Sequence, residues 1–189
     1  LADVIEFLPD ATLAIDRDKR IIVWNKAIEE MTGISSAEMI GQGAYAYALP
    51  FYGERRPLLM DLVFADSAET AARYPAITRQ GGTLIAEVFC NALYSGRGAW
   101  VFVKVSPLHD AAGQVIGAIE SIRDITERKR AEEARRESEE RFRMLASESP
   151  ISIVAFDQDG QVTFVSDWHL TKFAKGQLGP EFFLARKVW

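Results

Sequence analysis

Side chains that could do chemistry are few in this chain. Two histidines, His109 and His169, stand sixty residues apart, and the one cysteine, Cys90, has no second thiol for a disulfide or a thiolate zinc site. The glycine-rich loops that cradle phosphates, the serine elbow and the histidine–glutamate zinc signature are all missing from the sequence. Glu87 and Glu120 would suit acid–base work if they faced each other, but solvent-facing or salt-bridged strand carboxylates fit the same pattern better. Residue types therefore argue against catalysis and point to binding. Tyr45, Tyr47, Phe51, Tyr52, Phe64 and Phe89 form an aromatic set that would line an apolar cavity. Tyrosine hydroxyls, Glu120 and Arg56 (or its neighbour Arg55) would add polar contacts, and a guanidinium suits an anionic head group. The same aromatics would also fill a solid core. Trp100 and Phe102 are further candidates for that lining, but strand alternation gives them the same face as Lys104, so the alternative is the outer face of a sheet, under a helix or a dimer partner.

The elements that must position these residues sit in a chain of 189 residues, 48% apolar and 26% charged, which excludes wholesale disorder. A net charge of −5 and a pI near 5.2 argue against a general nucleic-acid partner. No apolar run approaches membrane-spanning length, so no membrane contact is expected. A lone cysteine fits a reducing, cytoplasmic compartment. Starting at Leu1 without an initiator methionine, the chain reads as a piece of something longer.

Thr12 to Asp16 and Arg20 to Trp24 are short β-rich runs separated by Arg17-Asp18-Lys19, which suits a hairpin. Asn25 is a good N-cap for a helix over Lys26 to Met31, ended by Gly33. Ser35-Ser36-Ala37-Glu38 has the form of a capping box. Pro57 should open a buried helix reaching Phe64. Thr83 to Tyr94, Ala99 to Leu108 and Gln114 to Arg123 read as three long strands divided by Ser95–Gly98 and Asp110–Gly113 turns. Two strands in front and three behind predict an α+β fold, a five-stranded antiparallel sheet with short helices on one face.

Glu127 to Arg143 carries six Glu and seven Lys or Arg in seventeen residues, with opposite charges spaced four apart. It reads as a solvated helix. Ala131, Ala134, Ser138, Phe142 and Leu145 give it a weak coiled-coil seam, which favours a homodimer. Pro9 to Asn25 lines up with Pro150 to Ser166 at a constant offset of 141, so the opening hairpin is repeated. The second copy has too few residues after Ser166 to supply three more strands.

Residues 9–126 resemble a PAS domain, the small sensory fold of histidine kinases and related signalling proteins. The resemblance is carried by Pro9-Asp10-Ala11, the Asp16-Arg17-Asp18 turn, Trp24-Asn25, Thr32-Gly33-Ile34-Ser35, Ser106-Pro107-Leu108, Gly117-Ala118-Ile119-Glu120 and the terminal Asp124-Ile125-Thr126. It implies a helix-walled cavity for an unknown small molecule. It further implies that Asp124, Ile125 and Thr126 transmit the signal into a C-terminal helix, and that a downstream output domain, expected to be the kinase of a two-component sensor, reads it. The implied organisation is a lead-in helix over 1–8, a PAS domain over 9–126, a charged linker helix over 127–146 and an incomplete second PAS domain over 147–189. Haem is disfavoured, since the helices from Lys26 to Phe64 hold no histidine; Cys90 lies in a strand, away from the helix that carries a flavin-reactive cysteine in light-sensing relatives. Non-covalent flavin stays open. The rival reading is a ligandless PAS domain serving dimerisation or docking.

Overall fold

A computed structural model of the protein describes residues 2–148 and 151–172. The chain divides into two compact units, with the boundary between Lys129 and Arg130. In the first, a short helix α1 (Ala2–Glu6) precedes the hairpin β1 (Ala11–Asp16) and β2 (Ile21–Trp24). Helices α2 (Lys26–Thr32), α3 (Ser36–Met39) and α4 (Leu49–Tyr52) follow, then a 3-10 turn over Leu59–Val63 and helix α5 (Ala68–Ala71). Strands β3 (Ile77–Gln80) and β4 (Thr83–Cys90), the short α6 (Leu93–Gly96), and strands β5 (Ala99–His109) and β6 (Val115–Asp124) complete the unit. The strands form one antiparallel sheet in the order β2-β1-β6-β5-β4-β3.

Six strands stand where five were expected. The extra one, β3, is a four-residue edge strand joined to β4 through Gly81 and Gly82, both at positive φ. Its sequence Ile-Thr-Arg-Gln is nearly all exposed, so it lacks the apolar alternation that marks a half-buried strand. The expected long helix over Arg56–Phe64 shrinks to the 3-10 turn Leu59–Val63, and β4 ends at Cys90 rather than Tyr94. Tyr94 and Ser95 both adopt left-handed backbone, which turns the chain out of the strand.

Strand alternation sorts the sheet into two faces. Leu13 and Ile15 on β1, Ala118 and Ile122 on β6, Val101, Val103 and Val105 on β5, and Leu84, Ala86 and Cys90 on β4 all point inward and are buried. The helices and turns close over that face with Tyr47, Phe51, Leu59, Met60 and Leu93. Gly117 allows β6 to lie against β1: a Cβ there would stand 2.4 Å from the Ile15 carbonyl oxygen.

Asn25 ties the first hairpin to its surroundings. Its Oδ1 accepts from the backbone N–H of Thr12 at 2.8 Å and of Ile28 at 3.1 Å, capping α2. Its amide nitrogen faces the carbonyls of Ile5, Leu8 and Asp10 at 3.1 to 3.3 Å. Gly33 ends α2 in left-handed backbone, and Glu38 accepts from both the N–H and the hydroxyl of Ser35 to open α3.

The charged segment forms one long helix, α7 (Thr126–Glu148), with ion pairs such as Arg135 to Glu139 and Arg136 to Glu133 along its surface. In the second unit, β7 (Val154–Phe156) and β8 (Val162–Val165) form a hairpin followed by α8 (Asp167–Lys172). Its register repeats that of the first hairpin at the offset of 141: Leu13↔Trp24 becomes Val154↔Val165, and Ala14↔Val23 becomes Ala155↔Phe164. Ser166 stands where Asn25 does, accepting from the Ile153 N–H and the His169 N–H. Residues 149–150 and 173–189 of the expected second module lie outside the described residues.

Because Asn25 satisfies several backbone groups in a site that is 1% exposed, Asn25→Ala is expected to cost roughly 3 kcal/mol through stranded donors and acceptors. Urea melts followed by circular dichroism would measure it. A loss below about 0.5 kcal/mol would show that the network contributes nothing net.

Candidate functional site

The interior contains a polar cluster within an otherwise apolar core. Glu120 lies on β6 opposite Leu13 of β1 and Val105 of β5, so alternation carries its carboxyl inward between Ala118 and Ile122. It is 3% exposed, and its Oε2 has no hydrogen-bond partner. Burial, reinforced by the negative charge of Asp61, pushes its pKa up to about 8. Near neutral pH the group is therefore a carboxylic acid, able to donate as well as accept.

Asp61, on the 3-10 turn that packs over the sheet, is the fixed charge of the cluster. The Tyr47 hydroxyl donates to it, 2.9 Å from each carboxylate oxygen, while the Leu58 N–H donates to Oδ2 at 2.8 Å. Lys19, from the first hairpin turn, places its Nζ 2.8 Å from Oδ1. Burial opposes the lysine charge, but Asp61 outweighs it and raises the lysine pKa. Tyr45 packs edge-on against Tyr47, with ring centroids 6.1 Å apart.

The other side of the cluster is built from Tyr52, Arg56, Tyr74 and Cys90. The Arg56 guanidinium stacks over the Tyr52 ring at 3.5 Å, and its buried Nε has no partner. The Cys90 thiol donates to the Tyr52 hydroxyl at 3.3 Å. Tyr74 accepts from the Leu59 N–H at 2.7 Å. Burial drives all three tyrosine hydroxyls, of Tyr47, Tyr52 and Tyr74, well above their ordinary range and pushes the Cys90 thiol up to about 12. Cys90 is thus a protonated, unreactive thiol near neutral pH. Among the described residues no cluster of three or more His, Cys, Asp or Glu side chains could hold a metal ion.

Of the residues singled out in the sequence, Tyr45, Tyr47, Tyr52, Arg56 and Glu120 converge on this cluster. Phe51 is buried in the adjoining core and Phe64 is half-buried against it. Phe89 is a correction: it is 46% exposed on the outer face of β4, opposite Trp100, because alternation turns its neighbours Val88 and Cys90 inward. Glu87 shares that outer face, so it and Glu120 lie on opposite sides of the sheet. Sequence reading missed Asp61, Lys19 and Tyr74. A lone acid inside the apolar run Leu58–Phe64 was the available signal for Asp61; Lys19 had none beyond its place in a turn.

The end of β6 makes a second, distinct arrangement. The Ile125 N–H donates to the Trp100 carbonyl at 2.9 Å, and the Trp100 N–H donates back to the Thr126 hydroxyl at 3.0 Å. The Asp124 carboxylate accepts from the Thr126 N–H at 2.8 Å. One turn on, Arg128 and Lys129 both pair with Glu87 of β4, and the Lys129 ammonium lies 5.4 Å from the Trp100 ring centre. The first turn of α7 is therefore fastened to β4 and β5 by backbone, hydroxyl and charge.

The model of the PAS fold family matches residues 5–130. No curated protein matches the sequence. Among solved structures, the PAS domain of Bordetella pertussis BvgS is 16% identical, with 74% of this chain and 94% of that chain covered and a TM-score of 0.46. A PAS domain from Colwellia psychrerythraea is 21% identical over 67% of this chain and 94% of its own, with a TM-score of 0.44. An RNA-binding light-oxygen-voltage receptor is 20% identical with a TM-score of 0.45; the match takes in 68% of this chain but only 32% of the receptor.

The raised pKa of Glu120 has a stability consequence. A carboxyl that keeps its proton to about pH 8 when folded, against an ordinary 4.5, favours folding most at acid pH. That contribution is lost progressively as pH rises from about 4.5 through about 8. Glu120→Gln is expected to flatten this part of the stability profile and to raise the melting temperature above pH 8 relative to the parent. An unchanged profile would mean that the carboxyl is not held neutral inside the core.

Proposed function

The chain belongs to the PAS family of signal-sensing, non-catalytic modules, and from that premise we propose that its interior polar cluster binds a small molecule and that β6 passes the signal into α7. The observation that carries this reading is a pair of buried polar atoms without partners, Glu120 Oε2 and Arg56 Nε. Stranding such groups costs on the order of 1–3 kcal/mol each, and a ligand that satisfies them recovers that cost. Residues proposed to touch the ligand are Tyr47, Tyr52, Arg56 and Glu120, with Tyr45, Phe51 and Phe64 behind them.

Transmission follows the covalent path. Glu120 sits four residues before Asp124 on the same strand, and Asp124, Ile125 and Thr126 connect that strand to the helix. A ligand that favours one packing of β6 shifts the equilibrium by its differential affinity for the two arrangements, and no further. The exposed stripe Ala131, Ala134, Ser138, Phe142 and Leu145 on α7 supports a homodimer in which two such helices meet. The repeated hairpin register supports a second PAS domain beginning after α7. The proposed reader of the signal is the output domain of a histidine kinase in a cytoplasmic parent protein. Among the described residues no helix is long and apolar enough to cross a membrane.

A second reading, a ligandless dimerisation or docking module, has its own support: Tyr47, Phe51, Leu59, Met60 and Leu93 are at most 2% exposed, a filled interior. Native mass spectrometry of gently purified protein separates the two. A reproducible small-molecule adduct that is lost in Glu120→Leu is expected; bare protein alone would favour the ligandless module. In Asp124→Ala, affinity for that molecule is expected to stay within about twofold, while hydrogen exchange in the first turn of α7 rises about tenfold. Equal losses of binding and folding would contradict the coupling role.

A further inference from the structure

Counting donors against acceptors inside the cluster narrows the ligand. Asp61 already accepts from Tyr47, Lys19 and the Leu58 N–H. Tyr74 uses its oxygen to accept from Leu59, and Tyr52 uses its oxygen to accept from Cys90. The Tyr74 proton has no acceptor among the described residues, and the single Tyr52–Cys90 hydrogen bond, whichever of the two donates, leaves one more proton unused. The Arg56 Nε–H is also without an acceptor. Among the described residues, unpaired interior donors therefore outnumber the one unpaired buried acceptor, Glu120 Oε2.

Charge leads the same way. With Lys19 paired to the buried Asp61, the cation left to face the interior is the Arg56 guanidinium, whose own carboxylate partner, Glu54, is exposed. Arg56 lies at the boundary of the interior: its side chain is 18% exposed and one terminal nitrogen reaches the exposed Glu54 at 3.4 Å. It can meet a solute from water and present its buried Nε inward. Stacking on Tyr52 fixes the guanidinium plane, so little rotamer freedom remains to be lost on binding.

Resting on the reading that this interior is a ligand site, we infer that its ligand is a small organic acid whose carboxylate is held by Arg56, Tyr52, Tyr74 and the buried Glu120 side chain. An amine would meet Arg56 as a like charge and leave the unpartnered Arg56 Nε–H and the Tyr74 hydroxyl proton without acceptors. A carboxylate takes up the stranded donors, and the apolar walls of Phe51 and Leu59 suit a short alkyl or aryl tail. The groups facing Glu120 are Asp61 from the 3-10 turn, Tyr47 and Tyr52 from the segment around α4, Tyr74 beyond α5, and Cys90 from β4, with Lys19 acting through Asp61. Because a neutral Glu120 donates to the carboxylate and an ionised one repels it, binding should weaken as pH rises through the Glu120 titration.

The test uses the purified full chain, with benzoate and octanoate as acid probes and benzylamine and octylamine as their cationic counterparts. Calorimetry and thermal shift are run at pH 6.5 and pH 9.5, beside native mass spectrometry of whatever co-purifies. At least one acid is expected to bind and raise the melting temperature, with affinity falling about tenfold or more between the two pH values. Arg56→Gln is expected to weaken it at least tenfold, while Glu120→Gln, which keeps a donor, should retain binding and lose the pH dependence. Amine binding without acid binding, acid binding indifferent to Arg56, or a co-purified molecule lacking an acidic head would overturn this inference and leave the ligand site standing. No binding by acids, amines or any co-purified molecule would overturn both.

Discussion

A carboxyl group in an apolar interior is the constraint on which the rest of this structure turns. Glu120 reaches that position because β6 is paired on both sides, to β1 and to β5. A one-residue slip would turn Glu120 out to solvent, but it would also expose Ala118 and Ile122 and break two ladders at once. The register is therefore over-determined, and the acid is held inside by the backbone pairing of its neighbours. Asp61, the nearest charge of its own sign, raises the cost of ionising it. Lys19 and Tyr47 hold Asp61 in place.

The same strand carries both features on which the proposed signalling route rests. Its middle presents Glu120 to the interior; its end delivers Asp124, Ile125 and Thr126 to the start of β5. There the Trp100 backbone both accepts from Ile125 and donates to Thr126. Glu87, on the outer face, then holds Arg128 and Lys129. A shift of β6 along its length would have to break or re-form these bonds, so the junction is suited to two discrete arrangements rather than a continuous range.

Local chemistry explains which parts of this were legible in the sequence. Asn25, the Ser35–Glu38 box and the hairpin at Arg17-Asp18-Lys19 announce themselves through short-range rules, and each appears where expected. Alternation around Lys104 correctly put Trp100 and Phe102 on the outer face. The same rule applied to β4 would have put Phe89 there too, since it stands next to inward Val88 and Cys90; its aromatic character obscured its parity. Strand β3 was missed because an exposed edge strand has no apolar period. Asp61 and Tyr74 were missed because their partners are Tyr47, Lys19 and the Leu59 backbone, brought together only by the tertiary fold. The hairpin repeat was visible as aligned hydrophobic runs, but the exchange of Ser166 for Asn25 as the connecting side chain needed the hydrogen bonds.

The most direct measurement follows Glu120 and the junction together by NMR, with selective carbon-13 labelling of glutamate carboxyls and nitrogen-15 labelling of amides across a pH titration. The Glu120 carboxyl should titrate near pH 8, and the Thr126 amide should shift with the same midpoint. A Glu120 midpoint in the ordinary carboxylate range, or a Thr126 amide that stays still while Glu120 titrates, would contradict the account.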